Sequence, residues 1–341
     1  MKETSKKKLN FQILSATLIK DKIALSGVSP PTSSGHIGVY AFESLRPIHQ
    51  VNTLQKKYDQ LGFAELEKSL VACSNEGVCV YSVMPSGRFV ESQTIELQPG
   101  KENKKVVFEL SGRTFFVVEK DSEFRIFEKG SGAYEQKFEL NVSHPVIDLC
   151  YIKAERKILF AFAEKLIFFS LVTKKFVQSV SEVQGPLNGI RIHHIEGKSQ
   201  ALLLKNSPQG CHSFWAHREE QEEVEIEPGN HLFSEPATSI SLKGNFAFIG
   251  TQSGKVACYA MNAIGGLTSL SSSQSHSSSS VAIVSRETKH SFLSWNLLEN
   301  GEVFAFEISK EVVPASAFLR MPLLVIVLVL AGLIAILFGK S

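Results

Sequence analysis

Read as apolar and polar positions, the chain repeats one alternation. A short apolar strand leads into a polar or Gly-bearing turn, and a second strand then closes on an aromatic residue. The pattern runs as KIALSG to HIGVYAF (22–42), SLVACSNEGVCVYSV (69–83), TFFVVEKDSEFRIFE (114–128) and KILFAFAEKLIFFSL (157–171). It continues as ALLLKNSPQGCHSFWA (201–216), NFAFIGTQSGKVACYAM (245–261) and SFLSWNLLENGEVFAFEI (291–308). The closing aromatics are Tyr40, Tyr81, Phe127, Phe169, Phe214, Tyr259 and Phe306, spaced by 41, 46, 42, 45, 45 and 47 residues. Seven units of about 44 residues predict an all-β, seven-bladed propeller, whose four-stranded blades repeat every ~40–45 residues. First strands are expected at 13–19, 145–152 and 237–243, and fourth strands at 133–140 and 175–182. The aromatics are expected to fill the layers between adjacent blades. Two stacked β-sandwiches are the competing architecture, and the regular spacing counts against them.

Past residue 310 the pattern changes. Met321 to Gly339 is a run of nineteen residues without a charge, flanked by Arg320 and Lys340. As a helix it spans about 28 Å, close to a bilayer's hydrocarbon core of roughly 27–30 Å. The organisation expected is a propeller over 1–310, a juxtamembrane linker over 311–320, a transmembrane helix over 321–339 acting as a tail anchor, and a lumenal tail at 340–341. Which segment completes the seventh blade is open between Lys8–Ile13 and Glu311–Val313. The N-terminal MKETSKKKLNFQIL lacks the apolar core of a signal peptide, so the body is expected to face the cytosol as a monomer.

Composition narrows the chemistry. The five cysteines, Cys73, Cys79, Cys150, Cys211 and Cys258, contain no C-x-x-C pair and read as reduced thiols. Lys and Arg number 36 against 34 Asp and Glu, and setting aside Arg320 and Lys340 leaves a neutral body. A nucleic-acid partner is therefore not expected. There is no P-loop, nucleophile elbow or H-E-x-x-H motif, so an enzyme with covalent chemistry of its own is not expected either. Ser269–Ser280 reads as a flexible loop and Glu219–Glu227 as an acidic edge strand or solvated turn. His193 and His194 read as facing opposite ways on one strand. The sequon at Asn141 is expected to be unused.

One stretch stands apart. Between IALS and IGVYAF the first unit inserts Gly27, Val28, Ser29, Pro30, Pro31, Thr32, Ser33, Ser34, Gly35 and His36, where most other units have about three to six residues. Pro30 and Pro31 stiffen the stretch, and its polarity places it on a rim as an extended loop, where binding chemistry concentrates; on the residues alone a neutral insertion is the equal alternative.

On these residues the chain resembles one family, the endoplasmic-reticulum guanine-nucleotide exchange factors for the Sar GTPase (the Sec-twelve and prolactin regulatory element-binding protein family). That family is a divergent WD-repeat propeller with a C-terminal anchor. Its first blade carries a glycine run followed by Gly-Ile-x-Asn, which maps onto LIKDKIALSGVSPPTSSGHIGVYAF (18–42). The sixth and seventh units are similar in layout. Of the glycine run Gly27 remains, Gly35 takes the place of the motif glycine ahead of His36 and Ile37, and Gly38 stands where the family has Asn. No unit carries the Gly-His or Trp-Asp dipeptide of WD repeats. The resemblance implies binding of a Sar-type small GTPase through Gly27–Gly38, GDP release, and the start of COPII vesicle budding from the endoplasmic reticulum. It also implies a potassium ion in the loop, for which Ser29, Thr32, Ser33 and Ser34 supply candidate oxygens. A tail-anchored scaffold or tether without exchange activity is the alternative.

Overall fold

The computed structural model describes residues 2–310 apart from 31, 55, 65, 75, 98–104, 109–112, 119–122, 143, 153–155, 163–164, 181–190, 195–199, 219–223, 262–265, 275 and 277. The expected linker and span, 311–341, lie outside the described residues. Among those described, no helix is long and apolar enough to cross a membrane.

The chain opens with β1 (Lys2–Lys8), which belongs to the last blade. Blade 1 is β2 (Gln12–Ile19), β3 (Lys22–Ser29), β4 (Ser34–Ala41) and β5 (Pro47–Leu54). Blade 2 follows as β6 (Tyr58–Ala64), β7 (Ser69–Ser74), β8 (Gly77–Val83) and β9 (Phe89–Glu96). Blade 3 is β10 (Lys105–Phe108), β11 (Thr114–Val118), β12 (Glu123–Lys129) and β13 (Tyr134–Asn141). Blade 4 is β14 (Asp148–Ile152), β15 (Lys157–Ala161), β16 (Leu166–Ser170) and β17 (Lys175–Val180). Blade 5 is β18 (Arg191–His194), β19 (Gln200–Ser207), β20 (Gly210–Arg218) and β21 (Val224–Phe233). Blade 6 is β22 (Ala237–Lys243), β23 (Phe246–Thr251), β24 (Val256–Met261) and β25 (Leu267–Ser272). Blade 7 is β26 (Ser280–Glu287), β27 (Ser291–Leu298) and β28 (Glu302–Ser309), with β1 as its outer strand.

Every blade is an antiparallel meander, and the seven form a propeller rather than two sandwiches. Second strands such as SLVACS in β7 and FAFIGT in β23 are buried along their whole length, because blades cover them on both faces. Outer strands alternate instead, as in YEQKFELN of β13. The core is divided into seven apolar clusters, one in each gap between neighbouring blades. Each gap receives one of the seven aromatics read from the sequence. Six are buried, and Phe214 is partly buried against the cluster between blades 4 and 5. Burying such a side chain is worth about 1.5–3 kcal/mol, so the repeat marks the residues that fasten blade to blade.

A second repeat has no sequence signature. In six blades the outer strand carries one unpaired residue opposite the step that leads into the aromatic: Thr4, Ile48, Ser92, Lys137, Val177 and Leu270. In blade 5 the same step is looser, with Gly229 and Asn230 against Ser213. Such bulges add right-handed twist, which swings each outer strand away from the direction of its inner strand.

Three expectations need correction. The outer strand of blade 7 is Lys2–Lys8, not Lys8–Ile13; Ile13 already belongs to β2. KETSKKK shows no apolar alternation because it is an exposed edge, held by backbone pairing from Lys2↔Glu307 to Lys8↔Glu302. The serine run is not all loop: Ser269 to Ser272 lie in β25, paired with β24, and Ser280 opens β26. The first-blade insertion is not an extended loop either: Ser29 pairs with Ser34, Val28 with Gly35 and Gly27 with His36. The polar letters there are strand residues of a long hairpin whose glycines admit neighbouring backbone.

Candidate functional site: the blade 1 hairpin

A meander places second-to-third turns and blade connections at one end of the ring, here the upper face. First-to-second and third-to-fourth turns then lie at the lower face. The β3–β4 hairpin reaches the upper face with only 30–33 outside its strands. Its third strand starts six residues before the blade aromatic, at Ser34 against Tyr40; in the other blades the start is three or four residues before it. Two to three extra residues per strand, at about 3.3 Å each, carry the blade 1 turn roughly 7–10 Å farther than its counterparts. This projection is the feature that sets one blade apart.

The sequence reading grouped twelve residues, and the structure divides them. Pro30, Thr32 and Ser33 are exposed at the tip, Pro31 lies outside the described residues, and Ser29 and Ser34 flank the tip half-buried. Gly27, Val28, Gly35, Ile37 and Gly38 are buried. The tip closes by its own hydrogen bonds. The amides of Thr32 and Ser33 both donate to the Ser29 carbonyl, at 3.2 and 2.9 Å, and the Ser34 amide donates to Thr32 Oγ1 at 3.3 Å. Ser33 holds a φ of 52° without being glycine.

Below the tip, both blade connections brace the hairpin. A Cβ on Gly27 would overlap the Gln12 carbonyl oxygen and the Phe11 ring, and one on Gly35 would overlap the Lys56 carbonyl oxygen and the Thr53 hydroxyl. His36 packs against Phe11 with ring centroids 4.5 Å apart and planes tilted by 38°, and its Nε2 lies 3.0 Å from the Tyr40 hydroxyl. Gln50 Nε2 donates to that hydroxyl at 2.6 Å. Burial holds the His36 pKa below its ordinary value. It also pushes the Tyr40 phenol up to about 12, with the Gln50 hydrogen bond working the other way. The rings therefore carry no charge at neutral pH and act as a rigid footing.

Two of the oxygens at the tip take part in its own hydrogen bonds. Ser29 O already accepts two amides and Thr32 Oγ1 accepts a third. Among the described residues no group of His, Cys, Asp and Glu forms a metal site.

Beside the hairpin on the upper face is an open cleft of about 390 Å³, with Lys56, Glu76, Glu96, Thr94 and Cys79 in its lining. Tyr58 donates to Cys79 Sγ at 3.0 Å beneath it, and burial raises the Tyr58 pKa. Two carboxylates against one ammonium at such a notch suit a basic side chain of a partner. Sequence reasoning missed it because its residues come from a connection, a turn and two strands.

No family model matches the chain, and no curated protein is similar to it. Solved structures are. The β-propeller domain of Myceliophteria thermophila Cps50 (Swd1) superposes with a TM-score of 0.70 at 10% identity, over 90% of this chain and 99% of that one. Saccharomyces cerevisiae Sqt1 superposes with a TM-score of 0.64 at 10% identity, over 90% and 100%. The chain thus has a WD-repeat-like seven-bladed propeller, and at that identity the likeness speaks to fold alone.

Proposed function

We propose that this chain is a membrane-anchored guanine-nucleotide exchange factor for a Sar-type small GTPase, acting at the endoplasmic reticulum to start COPII coat assembly and transport toward the Golgi. The observation that supports this reading is the projection of the blade 1 hairpin, at the position where the resembling family makes its GTPase contact. A braced element that stands above its neighbours gives a partner a fixed lever. Exchange then needs no covalent step. The propeller binds the nucleotide-free GTPase more tightly than the GDP form, and that difference drives GDP out. The tail, read as a span over 321–339, keeps both proteins at one bilayer and raises their effective concentration.

One observation favours a second reading. The hairpin is paired up to Ser29↔Ser34 and its tip is internally bonded, which suits a scaffold that displays a rigid edge without prying a nucleotide site. One assay separates the two. Replacing 29–34 with Asn-Gly closes the hairpin at Val28 and Gly35 by a two-residue turn and keeps the register. GDP release from a Sar-type GTPase is expected to be accelerated by the native chain. With the shortened hairpin it should fall at least about tenfold, roughly 1.4 kcal/mol of transition-state stabilisation. No acceleration by the native chain would leave the scaffold, and equal acceleration by the shortened hairpin would remove the hairpin as the element that drives exchange.

A further inference from the structure

His36 is the one histidine of the hairpin, and its partners fix which of its two nitrogens carries the proton. The Tyr40 hydroxyl has a single hydrogen. Gln50 Nε2 donates to that oxygen at 2.6 Å, so the oxygen is already an acceptor, and its own hydrogen is left for His36 Nε2, 3.0 Å away. A nitrogen that receives a hydrogen cannot also bear one, which leaves the proton of the neutral ring on Nδ1. The order runs from Gln50 to Tyr40 to His36, each group donating to the next. Burial pushes the Tyr40 phenol up to about 12, so the middle donor keeps its hydrogen wherever the imidazole titrates.

The ring is held in a slot. Gly38 leaves room for it: a Cβ there would stand 3.1 Å from His36 Nε2 and 3.0 Å from Tyr40 Cε2. Phe11 closes the other side, and the chain around Phe11 is tied to blade 7. The Leu9 amide donates to the Gly301 carbonyl at 2.9 Å, and the Ile13 amide donates to the Glu299 carbonyl at 3.1 Å. Across the sheet His36 is paired with Gly27 of β3 and Asn52 of β5. Among the described residues Tyr40 is the one titratable group in hydrogen-bond or ring contact with it. The Glu299 carboxylate in the blade 7 turn is taken up by Gln12 Nε2 at 2.8 Å.

We infer that His36 is the positioning residue of the hairpin: as a neutral ring it takes the Tyr40 hydrogen on Nε2 and seats β3–β4 on its footing, and a proton taken from solvent by Nε2 unseats it. Once Nε2 bears a hydrogen, it and the Tyr40 hydroxyl point two hydrogens into one gap. The charged ring then stands half-buried with no carboxylate in contact. The hydrogen bond is lost and the ring turns toward water, carrying with it the strand that bears the projecting tip. Because burial lowers the pKa of His36 in the folded chain, the seat is complete at neutral pH and fails only below about 6.5. Exchange through the hairpin weakens over the same range. That consequence rests on the exchange reading, and the seat itself does not.

The test uses the full chain with nitrogen-labelled histidines, the His36 signals being identified by their loss in His36→Gln. At neutral pH Nε2 should give the NMR shift of a bare nitrogen and Nδ1 that of a protonated one; the reverse tautomer overturns the inference. As pH falls from about 7.5 to about 5, through the ordinary histidine value of about 6.5, amide hydrogen exchange of 27–38 should speed up several-fold after correction for its intrinsic pH dependence. That of β7 and β8 in blade 2 should not. His36→Gln offers Tyr40 an oxygen that takes no proton and should give one level of hairpin protection across the range. Tyr40→Phe removes the donor and should show the faster exchange throughout. A His36 that stays neutral to about pH 5 overturns the inference, as does a hairpin whose protection ignores its protonation, or an undiminished pH response in His36→Gln. GDP release from a Sar-type GTPase, taken at each pH relative to the GTPase alone, should fall several-fold with the native chain and hold one ratio with His36→Gln. A level ratio with the native chain overturns the hold of the seat on exchange. No acceleration at neutral pH removes the exchange reading instead, and the nitrogen shifts and hydrogen exchange then decide the seat.

Discussion

A methyl group at position 35 tests whether the blade 1 hairpin and the connection to blade 2 are wedged together. Gly35 faces Val28 across β3–β4, and the Thr53–Lys56 turn passes over it. Apart from the oxygens it would overlap, the new Cβ would stand 2.8 Å from the Lys56 carbonyl carbon. The turn cannot yield by swinging one side chain. Thr53 Oγ1 donates to Lys56 O at 2.6 Å, and the Lys56 amide donates to Thr53 O at 3.1 Å. Overpacking of this kind costs about 1–3 kcal/mol, and disturbing two hydrogen bonds adds about 1 kcal/mol. Gly35→Ala should therefore lose about 2–4 kcal/mol, a large share of the 5–15 kcal/mol typical of a folded domain. Residues 1–310 contain every strand of the ring, so urea unfolding of that fragment, followed through Trp215 and Trp295, reads the loss directly. Thr32→Ala at the exposed tip is the control and should cost less than about 1 kcal/mol. A Gly35→Ala midpoint within about 0.5 kcal/mol of the native fragment would refute the wedge.

Three further outcomes are expected. Trp295, 1% exposed, donates Nε1–H to the Phe42 carbonyl at 2.7 Å across the blade 7 to blade 1 gap. Trp295→Phe should destabilise by roughly 1–3 kcal/mol through that stranded carbonyl, measured by thermal unfolding. Because the folded state keeps His36 neutral, the unfolded chain takes up a proton first as pH falls through about 6.5. Stability should drop from there down to the folded-state pKa and level off below it. His36→Gln should flatten part of that arm, with some slope remaining from His276, whose pKa burial also lowers; an unchanged profile rejects the assignment. Burial pushes the Cys211 and Cys258 thiols up to about 12. A chromogenic disulfide reagent at neutral pH should find almost no reactive thiol in the native chain and all five after denaturation.

The blade count was readable because packing between blades demands an aromatic at one position in every third strand, and Tyr40 through Phe306 satisfy it. The outer strands were harder. LTSLSS and KETSKKK become strands because a neighbouring edge pairs with them, and nothing in their own alternation announces it. The blade 1 hairpin failed for a related reason. Gly27 and Gly35 were read as loop glycines, yet neither has an unusual φ; each is small because Phe11 and Gln12, or Thr53 and Lys56, pass against it. Contacts that depend on the far end of the chain or on the next connection leave no local mark.

The pairing of β1 with β28 makes the ring a latch. Lys2 finds Glu307 across nearly the whole chain, so the earliest strand has to wait for the latest, and few contacts have a longer loop to close. Until it arrives, β28 presents a bare edge, and an identical strand from another molecule fits there as well as its own. The latch is also light: KETSKKK is mostly solvent-facing, so burial adds little to its hold. Opening of blade 7 at this strand is thus a cheap excursion from the native state. An exchanged first strand between two molecules is the natural route by which crowding would link one ring to the next.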